Sequence, residues 1–341
     1  MRKRKCLLAV IFFAVGFFFI SEQVSAKHTE IIISAAGDCT FASDIKQPPS
    51  VNFFAMYKKK KPDYFLGKVK RVFEKDDLSI VNLEGTLSKR GTRVDKKWAF
   101  RGLPKYTEIL RKGSIEAVGF ANNHVRDYGE ISYKDTKAAL RKSGVVYSSS
   151  ENVSLIKCKG KRIVMVSVSS IDVSYNPVNQ LRKLLRKAKR KKPDLLIVNM
   201  HSGTEYTNTA TSMQKTLAYI AIDEGGADLV LGHHPHVIQG IEKRKGAYIV
   251  YSLGNFCFGG NTNPRDKDSM IFQQKFVFEK GRLRLKKSKA SIIPCRLSSS
   301  DTINNYQPVK VNGEKGNQII QRLNQMSSLY GIQIQKNGSI S

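Results

Sequence analysis

Asp228-Leu229-Val230-Leu231-Gly232-His233-His234-Pro235-His236 is a short apolar run that ends on a glycine and three closely spaced histidines. An apolar run of strand length whose carboxyl end delivers metal-ligating or proton-carrying side chains is the pattern of a buried strand opening on a site. Similar runs occur five more times in the chain. Residues 31–36 end at Gly37-Asp38, residues 79–83 at Glu84-Gly85, and residues 115–121 at Asn122-Asn123-His124. Residues 195–200 end at His201, and residues 247–253 at Gly254-Asn255-Phe256. Between these runs, residues 133–142, 180–192 and 212–224 carry apolar side chains at helical spacing. The alternation predicts an α/β fold, and in such folds the crevice beyond the strand ends is where ligands bind. One cleft would collect all of these polar side chains.

Five of the six histidines fall in three of those strand ends, as His124, as His201, and as His233, His234 and His236. A lone histidine is more often structural than functional, but five concentrated beside Asp38 and Glu84 reverse that expectation. Imidazole nitrogens with hard carboxylate oxygens suit Zn²⁺, Mn²⁺ or Fe²⁺. The order of motifs is also specific. Gly37-Asp38, Asn82-Leu83-Glu84, Asn122-Asn123-His124 with Asp127-x-Gly129, and His201-x-Gly203-x-Glu205-Tyr206 are followed by Gly232-His233-His234-Pro235-His236 and Ser252-Leu253-Gly254-Asn255-Phe256. Over residues 31–260 this series resembles the CapA family of poly-γ-glutamate capsule synthesis proteins, including the PgsA type. That family is similar to the calcineurin-like metallophosphoesterases.

The resemblance implies a metallophosphatase-like four-layer αββα sandwich holding one or two divalent ions (Mn, Zn or Fe). By the family's pattern Asp38 would be a terminal ligand and Glu84 a bridge. Asn123 would ligate through its amide oxygen, and His201, His234 and His236 through their rings. His124 would be the general acid. Asp127 would orient it, or else cap the following helix. Asn122, Glu205, His233 and Asn255 are further site candidates, His233 standing outside the His234-x-His236 pair. The chain departs from the phosphoesterase pattern where Cys39 and Thr40 follow Asp38 in place of an x-His, where the bridge is Glu, and where Ser202 stands in place of a family Trp. Those departures leave open one metal or two, and an active or a weakly catalytic site.

The remaining features concern partners and compartment. The 341 residues carry a net charge of +30, with 41% hydrophobic and 25% charged residues. That is too apolar for a disordered basic tail, and so much positive charge should attract polyanions. Residues 1–26 read as an export leader: Arg2, Lys3, Arg4 and Lys5, an apolar run over residues 6–20, then Val24-Ser25-Ala26. The leader is either cleaved before Lys27 or kept as an anchor through residues 6–20, which places the body outside the cytoplasmic membrane. Cleavage would remove four bases and Glu22 and leave +27 on the body. Export argues against nucleic acid as partner, and with it against a nuclease. Poly-γ-glutamate, an anionic membrane surface and membrane-bound synthetase subunits fit better. Candidate polyanion contacts are Lys58, Lys59, Lys60 and Lys61, and Arg186, Lys187 and Arg190 on an amphipathic helix. Residues 27–297 are expected to form the domain and residues 298–341 a peripheral extension. The body's Cys39, Cys158, Cys257 and Cys295 allow buried thiols or disulfides, Cys39–Cys257 among them.

Overall fold

The structure is a computed structural model that describes residues 28–171 and 174–341. The leader expected over residues 1–26 lies outside the described residues. Among the described residues no helix is long and apolar enough to cross a membrane.

Two β-sheets lie face to face. The first has nine strands and runs Val309–Lys310, Lys289–Arg296, Asp268–Glu279, Thr29–Thr40, Leu78–Leu83, Ala117–Phe120 and Val146–Ser149, with Asn255–Phe258 paired to Thr29–Thr40 and Arg282–Leu283 to Asp268–Glu279. The second has six, in the order Ile241–Arg244, Ala247–Val250, Leu229–His233, Leu195–His201, Lys161–Ser169 and Ser154–Cys158. Strand periodicity explains the layering, because alternate side chains point to opposite faces. Ile31, Ile33, Ile80, Ile163, Met165, Ile197, Leu229 and Leu231 meet in one core between the sheets. Val81, Leu83, Val118 and Phe120 face the other way and pack against Phe53, Ile109, Tyr133 and Leu140 of covering helices. On the far side, Val164, Val166, Val198 and Val230 pack against Leu181, Leu184, Leu217 and Ala218. This is the four-layer αββα sandwich expected from the sequence.

The sequence-predicted helices form as Gly129–Ser143, Pro177–Arg190 and Ser212–Tyr219, the last prolonged by a π-helical turn over Ile220–Glu224. One element differs from expectation. Residues 247–253, read as one strand, stop at Val250, and the chain crosses to the first sheet as Asn255–Phe258. The crossing is close. A Cβ on Gly37 would sit 1.8 Å from Gly254 O, and Asp38 N donates to that oxygen at 2.9 Å. After Asp268–Glu279 the chain passes a 3₁₀ turn at Leu285–Lys287 and pairs back antiparallel as Lys289–Arg296. The C-terminal segment lies at the rim of the sandwich, yet it is packed into it. Helix Gly313–Ser327 buries Ile319, Ile320 and Leu323 in the inter-sheet core, joined by Ile332 and Ile334.

Candidate metal centre

The parallel strands Thr29–Thr40, Leu78–Leu83 and Ala117–Phe120 of one sheet, and Leu195–His201 and Leu229–His233 of the other, end together. Their C-terminal residues form one buried polar cluster. Asp38 Oδ1 accepts from Asn82 Nδ2 at 2.8 Å, and Oδ2 from the backbone N–H of His234 at 3.2 Å. His233 Nδ1 and His236 Nδ1 lie 3.3 and 3.5 Å from the same carboxylate. Burial works to raise the Asp38 pKa, but those two imidazoles hold it well below the usual carboxylate range.

Glu84 is the hub. Its Oε1 lies 3.7 Å from His124 Nε2, 3.9 Å from His201 Nε2 and 3.8 Å from His236 Nε2. Those separations are too long for hydrogen bonds, and among the described residues neither carboxylate oxygen has a hydrogen-bond partner although both are buried. An ionised carboxylate in that state is strongly disfavoured. Burial, reinforced by the nearby Asp38 charge, pushes the Glu84 pKa up to about 8. Donors about 2.1 Å from a shared cation face each other at about 3–4 Å, and Asp38, Glu84 and His236 lie close enough to one another to be such donors. The residues fit a divalent metal.

The imidazoles are prepared for the same role. Burial, and for His201 the neighbouring His234, keeps His201 and His234 neutral, with His234 pushed down to about 3. Neutral imidazole is the form that ligates. His236 is the exception: burial opposes its charge, yet Glu84 and Asp38 lift its pKa to about 9. Its ring is oriented by Asn255, whose Oδ1 lies 2.9 Å from His236 Nδ1 and whose Nδ2 donates to His236 O at 3.1 Å. That contact leaves Nε2 facing Glu84. Two groups of donors lie within 4.8 Å: Asp38, Glu84 and His236, and Glu205, His234 and His236. His236, not Glu84, is common to both. His201 Nε2 meets Asn123 Oδ1 at 2.8 Å. The backbone is bent to present these rings, with φ of 97° at His234 and 58° at His236. Left-handed conformations at non-glycine residues cost about 1–3 kcal/mol and cluster at functional sites.

Asp127 sits beside His124, not on a helix end. Its Oδ2 is 2.7 Å from His124 Nδ1 and accepts from the Phe100 N–H at 2.6 Å. The helix that follows has no side-chain cap. Lys96 completes the arrangement, its Nζ donating to Asp127 Oδ1 at 2.8 Å and to Asn123 O at 2.9 Å. Lys96 and Asn82 were not singled out from sequence. Asn82 stood inside a quoted motif, whereas Lys96 reaches the cluster from an irregular loop and left no pattern. Asn122 is structural here, its Nδ2 donating to Leu83 O and its Oδ1 accepting from His124 N.

The basic residues predicted to bind polyanion lie elsewhere. Lys58 and Lys59 end helix Phe53–Lys59 over the first sheet, with Lys60 and Lys61 just beyond. Arg186, Lys187 and Arg190 belong to helix Pro177–Arg190 over the second. The two clusters occupy opposite outer layers and do not form one face. Cys39, Cys158, Cys257 and Cys295 are free thiols, and burial pushes Cys39 up to about 12.

Residues 32–260 match the family model described as bacterial capsule synthesis protein PGA_cap. The chain belongs to this family. All of the centre's residues, from Asp38 to Asn255, fall inside the PGA_cap match. Among PGA_cap relatives, the capsule biosynthesis protein CapA of Bacillus anthracis is 30% identical over 298 residues, covering 78% of this chain and 70% of that one. The PGA biosynthesis protein CapA of Bacillus subtilis strain 168 is 29% identical over 290 residues, covering 78% and 74%. Among solved structures, the calcineurin-like phosphoesterase YfkN of Bacillus subtilis aligns over 88% of this chain and 98% of that one, with 12% identity and a TM-score of 0.43.

Proposed function

We propose that this PGA_cap protein acts outside the cytoplasmic membrane in the synthesis or export of an anionic capsule polymer of the poly-γ-glutamate type, through a metal-dependent hydrolase-like centre. The observation that carries this reading is the Glu84 carboxylate, buried without a hydrogen bond among three imidazole Nε2 atoms. Asp38, Glu84, His201, His234 and His236, with Asn123, would hold one or two divalent ions. A cation bound there supplies Lewis-acid charge and activates water for attack on a phosphoryl or carbonyl group. His124 turns Nδ1 to Asp127 and Nε2 to the centre, so a proton leaves or arrives through Nε2. Asp127 stabilises the imidazolium while the ring donates to the leaving oxygen or nitrogen. Lys96, bonded to the other Asp127 oxygen, holds that carboxylate in place.

A second reading has its own support. The first motif offers the buried Thr40 hydroxyl where phosphoesterases have an imidazole, and a neutral hydroxyl is not among the imidazole, thiolate and carboxylate donors that hold such ions. A metal-retaining but slow centre would suit a non-catalytic, polyanion-binding accessory subunit of a membrane-bound polyglutamate synthetase. Metal analysis of protein purified without chelator, with phosphoester and γ-glutamyl hydrolysis assays, separates the two. The hydrolase predicts bound transition metal and a loss of about 10²–10⁴-fold in turnover for His124→Ala. Absence of turnover, with or without bound metal, together with salt-sensitive polyglutamate binding, would leave only the accessory role.

A further inference from the structure

A cavity of about 390 Å³ opens beside the metal centre, with His124 and His236 among its lining residues. Lys46, Lys97, Trp98 and Tyr206 also line it. Trp98 is 41% exposed and Tyr206 60% exposed, an unusual state for two large aromatics beside a buried polar site. Neither is there through local looseness. Trp98 belongs to the loop of residues 88–100, which is fixed on both sides. Arg93 donates to Asp44 at 2.8 Å, Ala99 N to Asp44 at 2.7 Å, and Phe100 N to Asp127 at 2.6 Å. Tyr206 is held at φ 59°, its N–H donating to Pro235 O at 2.8 Å. The aromatic faces are therefore set before any ligand arrives, which lowers the entropic cost of binding.

The charges agree. Lys46 Nζ donates to Lys97 O at 3.2 Å, and Lys97 Nζ lies 5.9 Å from the Trp98 ring centre. Among the described residues neither ammonium is paired with a carboxylate, whereas Arg93 and Lys96 nearby are. The one acidic side chain in the lining, Glu205, clusters with His234 and His236. Among the described residues no arginine lines the cavity, so they offer no planar fork of the kind that favours phosphate. Flat aromatic faces suit amide planes and methylenes.

We propose that this groove is the polymer subsite of the centre. It grips an anionic polyamide with one carboxylate per unit: Lys46 and Lys97 take carboxylates, while Trp98 and Tyr206 lie along the backbone. The inference rests on the capsule-polymer reading above and adds where the chain lies and which side chains hold it.

Trp98 is the only tryptophan in the chain, so its emission reports on this groove alone. Full-length, metal-loaded protein would be titrated with poly-γ-glutamate of defined length and with polyphosphate of equal charge. The expected result is a saturable shift in Trp98 emission with poly-γ-glutamate, at a midpoint at least about tenfold lower than for polyphosphate. In the Lys46→Ala/Lys97→Ala protein the midpoint should rise by about tenfold or more. Both lysines are exposed, and a melting curve checks the variant's fold; should it unfold, Lys97→Met alone serves. Polymer binding seen by anisotropy with no change in Trp98 emission would overturn the proposal, as would an unchanged midpoint in the lysine variant or equal binding of polyphosphate. Wild type that shows the emission shift but hydrolyses nothing would sink the hydrolase and leave the groove standing. Turnover of a small phosphoester with no emission response to polymer would do the reverse.

Discussion

Leaving a buried group unsatisfied costs about 1–3 kcal/mol, and more when it is charged, so Glu84 should be a liability to the metal-free protein and an asset to the loaded one. Glu84→Gln keeps the shape and removes the charge. Its metal-free form should therefore melt a few degrees above wild type, while its metal affinity falls by about tenfold or more. Calorimetry and a chelator competition read the two effects separately. A variant that melts lower, or that holds metal as tightly as wild type, would refute the assignment. Asn255 supports the centre differently, by fixing the His236 ring. Asn255→Ala should weaken metal binding by about 10–100-fold, the usual effect of losing a group that orients a ligand, and the same chelator competition would show it. At this scale the sequence revealed most of the centre, because ligating residue types recur at strand ends. It did not reveal Lys96, which meets Asp127 from 31 residues away through a loop with no regular pattern. Nor did it show His236 as the donor common to both ligand groups, since that depends on ring orientations set by the backbone at His234 and His236.

Elements were readable where their periodicity was strong. Helix Pro177–Arg190 begins with Asn176 capping Asn179 N and Pro177 in its first turn, and it buries Leu181, Leu184, Leu185 and Ala188 in the outer core of the second sheet. Leu184→Ala should destabilise the fold by about 2–5 kcal/mol in a denaturant melt, whereas Arg186→Gln on the exposed face should stay within about 0.5 kcal/mol. Equal effects would mean the helix is not docked as described. Strand Lys161–Ser169, next to the edge of the second sheet, escaped the sequence reading because it ends on Ser169 and brings no ligating side chain to the cleft. The change of sheet after Val250 escaped because it depends on the Gly37–Gly254 contact between distant segments. A pH effect also belongs here. Asp228, at the start of strand Leu229–His233, accepts from Leu196 N at 2.8 Å, and burial raises its pKa to about 6. A carboxyl raised in the folded state favours folding when protonated, so its contribution is full below about pH 4 and is lost as pH climbs through about 6. Asp228→Asn keeps an acceptor without the charge. It should be more stable than wild type by about 1–2 kcal/mol at pH 7.5 and show no gain at pH 4; a gain independent of pH would assign the effect to something other than ionisation.

Among the described residues the basic clusters of residues 58–61 and 186–190 lie on opposite outer layers, while the centre and its groove sit at the strand ends between them. Such a distribution draws a polyanion toward the protein from many directions but cannot place a particular bond at His124. Long-range attraction and local grip should therefore separate experimentally. Arg186 and Arg190 are exposed, and Lys187 donates to Glu151 O at 2.9 Å, so all three can be replaced by glutamine without disturbing the core. The triple variant should bind poly-γ-glutamate with an association rate several-fold slower at low salt. The difference should fade near 0.5 M salt, where screening acts over only about 4 Å. Its Trp98 emission at saturation should match wild type, because the groove is intact. Stopped-flow fluorescence gives both numbers in one experiment. Equal rates at low salt would remove the helix face from any part in capture, and a lost Trp98 endpoint would mean that the polymer crosses from that face into the groove as one continuous site.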